Sequence, residues 1–134
     1  MAGTVHAAPV LLYGPLVAYA ALAVLAGACA LLRRPLPAWF WPLTLLALVL
    51  VALQGAAGLL VVLGGARPAR GLHLLYGALV LAAGAILFSL RPGGYVRRAF
   101  VREIAWGEAR TVAVIALTEA ALILRAWMTG MGAR

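Results

Sequence analysis

Residues 1–32, 35–66 and 71–90 carry no charged side chain. Each run is long enough to cross a bilayer as a helix, which takes about 20 apolar residues. Hydrophobic residues make up 66% of the sequence and charged residues 10%. A soluble domain of this length would be about a quarter charged. The sequence is therefore that of an integral membrane protein. Its 134 residues allow four spans with short loops, hence one domain.

The first span is expected over residues 10–32. Pro9 and Pro15 fall in its first turns, where a missing N–H costs least. Arg33-Arg34-Pro35 ends it. A cleavable signal peptide would need a basic residue before the apolar run and a run of about 7–15 residues. Neither holds, so a retained span is expected. The second span covers residues 39–63 and opens on Trp39, Phe40 and Trp41, an aromatic belt. Gly64-Gly65 closes it. The third covers residues 72–90 and stops at Arg91-Pro92-Gly93-Gly94. Residues 95–106 carry Arg97, Arg98, Arg102 and Glu103, with Val96, Ala99, Phe100 and Ile104 at helical spacing. They read as a short amphipathic helix in the interface. The fourth span, residues 109–128, contains Glu119 and Arg125. Thr111, Thr118 and Arg125 recur every seven residues, and this polar stripe is expected to face the bundle interior. The fold class is all-α: an antiparallel four-helix membrane bundle with an interfacial helix between spans three and four.

All eleven basic residues are arginine, and the net charge is +8. No basic patch with interleaved aromatics stands apart from the spans, so nucleic acid is not an expected partner. Arginines beside spans act as topology signals or phospholipid contacts. With the N-terminus outside, seven arginines fall inside (33, 34, 91, 97, 98, 102 and 110) and four outside (67, 70, 125 and 134). This bias puts both termini outside a bacterial-type plasma membrane. Cys29 is alone, so it forms no intrachain disulfide and reads as a small packing residue.

The only two histidines, His6 and His73, open the first and third spans. Odd-numbered spans start on one side, so the two imidazoles share a depth. First and third helices of an up-down bundle are usually diagonal, and a haem between them can take one imidazole from each. His73, Gly77, Val80 and Gly84 lie on one helical face, where glycine lets a planar ring approach. His6, Val10, Tyr13 and Gly14 repeat the idea on the first span. Gln54 falls in the same outer half. Arg67, Arg70 and Arg125 are candidate partners for haem propionates. Each feature also has a structural reading. The glycines serve helix packing, Gln54 an interhelical hydrogen bond, and the arginines reach for phosphates. Glu119, near mid-span, is too costly to leave charged and unpaired. It is either protonated or paired across the bundle, in a structural role or as a proton relay.

Val5-His6-Ala7, Leu53-Gln54-Gly55-Ala56-Ala57-Gly58 and Gly71-Leu72-His73-Leu74-Leu75 together resemble one four-helix half of haem A synthase, over about residues 6–90. In that family a histidine opens a span, Gln-Gly sits in the next, and a second histidine opens the one after. The resemblance implies a b-type haem held by His6 and His73 near the outer surface. The family's catalytic glutamate before the first histidine and arginine after it are replaced by Gly3-Thr4-Val5 and Ala7, and its extracellular cysteine pair is missing. Haem binding carries over and the oxidation of haem does not, so an enzyme is not the favoured reading. The expected function is one-electron transfer or haem handling, as a small subunit of a respiratory or photosynthetic complex. Membrane lipids and either other membrane subunits or further copies of the chain are the expected partners. Alternatives are a cofactor-free accessory subunit, a haem A synthase-like half-enzyme, and a small transporter built on Glu119.

Overall fold

The computed structural model describes residues 9–65, 72–100 and 107–130. Five helices follow in order: α1 Pro9–Leu31, α2 Phe40–Leu63, α3 Leu72–Ser89, α4 Tyr95–Phe100 and α5 Glu108–Gly130. The four long ones contain 23, 24, 18 and 23 residues. At about 1.5 Å per residue the shortest is close to the thickness of a bilayer's hydrocarbon core. Four long apolar helices fit a multi-pass membrane protein. No strand occurs among the described residues.

The long helices form a square. α1 packs on α2 and α5, and α3 packs on the same two. Among the described residues no backbone approach joins α1 to α3 or α2 to α5, so each of those pairs is diagonal.

Each long helix buries one stripe at helical spacing. On α1 it is Pro15, Tyr19, Leu22 and Ala26; on α2, Phe40, Thr44, Ala47 and Val51. On α3 it is Val80, Gly84 and Leu87, and on α5, Val112, Ala116, Glu119, Ala120 and Ile123. These are steps of three and four residues, the rows along which helices interdigitate. The larger aliphatic side chains point outward: Val24 is 73% exposed and Leu63 74%. Only 17% of the apolar window is buried in α2 and in α3. A soluble bundle would turn such faces inward, whereas lipid accepts them.

The interhelical turns have local causes. Arg33 adopts φ 53° after α1, and Pro35 and Pro37 follow within the connection. After α3, Gly93 takes φ +77°, a conformation side chains other than glycine rarely adopt. Gly94 lies so close to the Ser89 carbonyl that a Cβ there would stand 2.1 Å from its oxygen. This double glycine reverses the chain into α4. The Arg97 guanidinium then donates to the Glu108 carboxylate, which tethers α4 to the start of α5. Glu108 lies in the first turn of α5, where a negative charge suits the helix dipole. The amphipathic segment expected over 95–106 begins where it should, and the part from 101 to 106 lies outside the described residues.

One expectation is corrected. Thr118 and Arg125 face outward, and only Thr111 of the heptad stripe is half-buried. The Thr118 hydroxyl donates to the Val114 carbonyl at 2.9 Å, which satisfies it within its own helix. Arg125 is near the end of α5, and its long side chain can reach the membrane surface from an outward position. The interior row is displaced by one residue and carries Glu119.

Candidate functional site

Two groups of polar residues lie in the bundle, one at an end and one in the middle. The end group is built on His73, in the first turn of α3 and half-buried. Its Nδ1 is 3.0 Å from the Ala126 carbonyl oxygen on α5. A carbonyl only accepts, so Nδ1 carries the proton and Nε2 is the basic nitrogen of the neutral ring. Ala126 lies in the last turns of α5, and a carbonyl oxygen has a second lone pair to offer beyond the helix's own bond. Its oxygen also accepts from the Thr129 hydroxyl at 2.8 Å. The adjacent Trp127 meets Tyr13 of α1 edge to face, with centroids 5.9 Å apart at 66°. α1, α3 and α5 are thus joined at this end by Tyr13, Trp127 and His73.

The middle group is built on Gly84. An added Cβ there would stand 2.7 Å from Tyr19 Oη, 3.1 Å from Leu48 Cδ1 and 3.2 Å from Glu119 Oε1. All four long helices therefore converge on one glycine. Tyr19 and Glu119 are fully enclosed, at 0% exposure. Their side-chain oxygens have no hydrogen-bond partner among the described residues.

The residues singled out in sequence divide between these places. His73 belongs to the end group. Arg125 precedes Ala126 and is exposed at the same level. Gly77, one turn from His73, has open space where a Cβ would project. Gly84 is different, because Tyr19 and Leu48 fill the approach to it. Gln54 is half-buried on α2, between the two levels: it lies six residues, about 9 Å, beyond Leu48. His6, Arg67 and Arg70 lie outside the described residues.

Tyr19 and Trp127 escape a reading of motifs. Tyr19 carries a signal nonetheless: tyrosines of membrane helices favour the interfaces, and this one falls mid-span opposite a mid-span acid. No group of three or more His, Cys, Asp or Glu that could hold a bare metal ion occurs among the described residues. Comparison with protein-family models, curated proteins and solved structures finds no match.

Proposed function

We infer that this chain is a membrane b-type haem-binding protein that serves electron transfer or haem handling. The single observation carrying this reading is the hydrogen bond from His73 Nδ1 to the Ala126 carbonyl. Metal-ligating histidines characteristically donate their other ring N–H to a carbonyl or carboxylate, which fixes ring orientation and tautomer. His73 has that arrangement, supplied by a neighbouring helix. His6, three residues before α1 in sequence, is the second ligand on sequence grounds.

Haem bound here would supply one-electron chemistry at its iron. The chain's own residues would hold and orient it. The open space beside Gly77 supports a ring next to His73, and the crowding at Gly84 speaks against one deeper in the bundle. Gln54, between the two levels, would offer a polar contact on the inner side of the ring. Arg67 and Arg70 would meet the propionates, and Arg125, exposed on the outer face at this level, would reach them only at the membrane surface. The resemblance of residues 6–90 to a haem A synthase half supports the same placement. On the arginine bias this end and both termini would lie outside a bacterial-type plasma membrane.

A cofactor-free accessory subunit is the second reading. A groove of about 310 Å³ between α1 and α2 favours it. Ala18, Leu22, Leu25, Trp39 and Leu46 are among its lining residues, and it suits a partner helix. In either reading the chain works within a larger assembly or beside further copies of itself. Absorbance of gently purified, natively expressed protein separates the two. The haem reading expects a Soret band that shifts on reduction, lost in His73→Ala and kept in Glu119→Gln. Native protein without such a band leaves the accessory reading.

A further inference from the structure

The middle of the bundle poses a separate chemical question. Three buried oxygens, Tyr19 Oη and both Glu119 carboxyl oxygens, lack hydrogen-bond partners among the described residues. Native proteins rarely leave buried polar atoms so, and two of these converge on Gly84. Glu119 is eleven residues, about 16 Å, from either end of α5, which puts it at mid-membrane depth.

The surroundings decide what this group can hold. α2 contains no titratable side chain and contributes Leu48. α3 contributes Gly84; its His73 and Tyr76 lie about 16 and 12 Å away along the axis. α1 contributes Tyr19, with Tyr13 and Cys29 about 9 and 15 Å distant. On α5 itself, Arg125 is exposed, and Glu108 and Arg110 are exposed near the N-terminal end. No cation therefore faces Glu119 from any packed helix among the described residues. An ionised carboxylate there would be an uncompensated charge at mid-membrane, a costly state. The neutral acid carries no such cost. A hard metal cation would need about six oxygen ligands, and three are present. A proton needs one.

We propose that Glu119 and Tyr19 form an intramembrane proton-binding site, in which the Glu119 carboxyl carries an exchangeable proton and the Tyr19 hydroxyl partners it in both states. The two oxygens meet beside Gly84 without bonding as they stand, and a side-chain rotation in the neutral state lets the Glu119 O–H donate to Tyr19 Oη. On release that O–H bond breaks, the electron pair stays on the carboxylate, and the proton passes to a water molecule as hydronium. The Tyr19 O–H then turns to donate to the carboxylate. A phenol can do both because its oxygen donates and accepts. Thr111, eight residues and about 12 Å toward the Glu108 end, offers a further buried hydroxyl along the way. The site requires no cofactor.

The test is infrared spectroscopy of the full chain in bilayers of neutral phospholipid at neutral pH. A Glu103→Gln/Glu108→Gln variant leaves Glu119 as the last glutamate, so its carbonyl band is assigned without altering the site. We expect a protonated-acid C=O band that shifts in D2O, moves again in Tyr19→Phe, and ignores added sodium chloride. Glu119→Gln should remove it. Absence of the band would show an ionised Glu119 and overturn the proposal. So would a band that never exchanges in D2O, one indifferent to Tyr19→Phe, or one lost on adding sodium, which would mark an alkali-cation site.

Discussion

At Gly84 the missing side chain is the structural feature. Tyr19, Leu48 and Glu119 reach this glycine from the three other long helices, and a Cβ would have to displace a hydroxyl at 2.7 Å. Overpacking of this kind costs about 1–3 kcal/mol. Gly84→Ala should lower stability by that amount in denaturant unfolding of the purified protein. Tyr19→Phe in the same chain should recover part of the loss, because it removes the atom the methyl meets. Strict additivity of the two substitutions would show that they do not share a site. Gly77 is the contrast. A methyl group there meets no protein atom within 4 Å, so in haem-free protein Gly77→Ala should stay within about 0.5 kcal/mol of the parent. The sequence placed Gly77 and Gly84 on one helical face and gave no means of telling them apart. Their difference lies in what other helices bring to each, which local spacing does not encode. His73 and Glu119 were legible as candidates because a polar group is conspicuous in an apolar span. The groups set beside them, a backbone carbonyl and the Tyr19 hydroxyl, were not, since local spacing does not say which helix faces meet.

At the scale of elements, charges, prolines and glycines mark where helices stop. The four apolar segments expected over 10–32, 39–63, 72–90 and 109–128 correspond to α1, α2, α3 and α5, with ends displaced by at most two residues. The break after α3 depends on Gly93 and Gly94 for different reasons, one a positive φ and the other a close carbonyl. Gly94→Ala should therefore disrupt the α3–α4 turn. We expect faster proteolysis between Ser89 and Glu108, with helix content almost unchanged by circular dichroism. Unaltered protease resistance would show that the turn rearranges without cost. The outward placement of Thr118 and Arg125 also belongs to this scale. A seven-residue repeat identifies a stripe and leaves open which way it faces. Thr118 can face outward because its hydroxyl is bonded within its own helix.

For the whole molecule, the square of long helices fixes connectivity across the membrane. Four spans put the ends of α1 and α3 on one side of the membrane and the end of α2 on the other. Single cysteines at Arg34, Gly65 and Pro92, in a Cys29→Ala background, should report this with a membrane-impermeant thiol reagent. Arg34→Cys and Pro92→Cys should be labelled from the same side and Gly65→Cys from the opposite one; any other pattern contradicts four spans. The sequence by itself determined that there are four long helices, roughly where each ends, and that they suit lipid. Long apolar runs force backbone hydrogen bonds to close within each segment, so length and charge suffice for those conclusions. Tertiary structure alone decided how each helix is rotated and therefore which residues meet. Three of the spans are apolar on every side, so burial from water gives them no preferred face; packing of small residues and satisfaction of the few polar groups choose it instead. That choice set His73 against Ala126, and gathered Tyr19, Gly84 and Glu119 at the centre of the bundle.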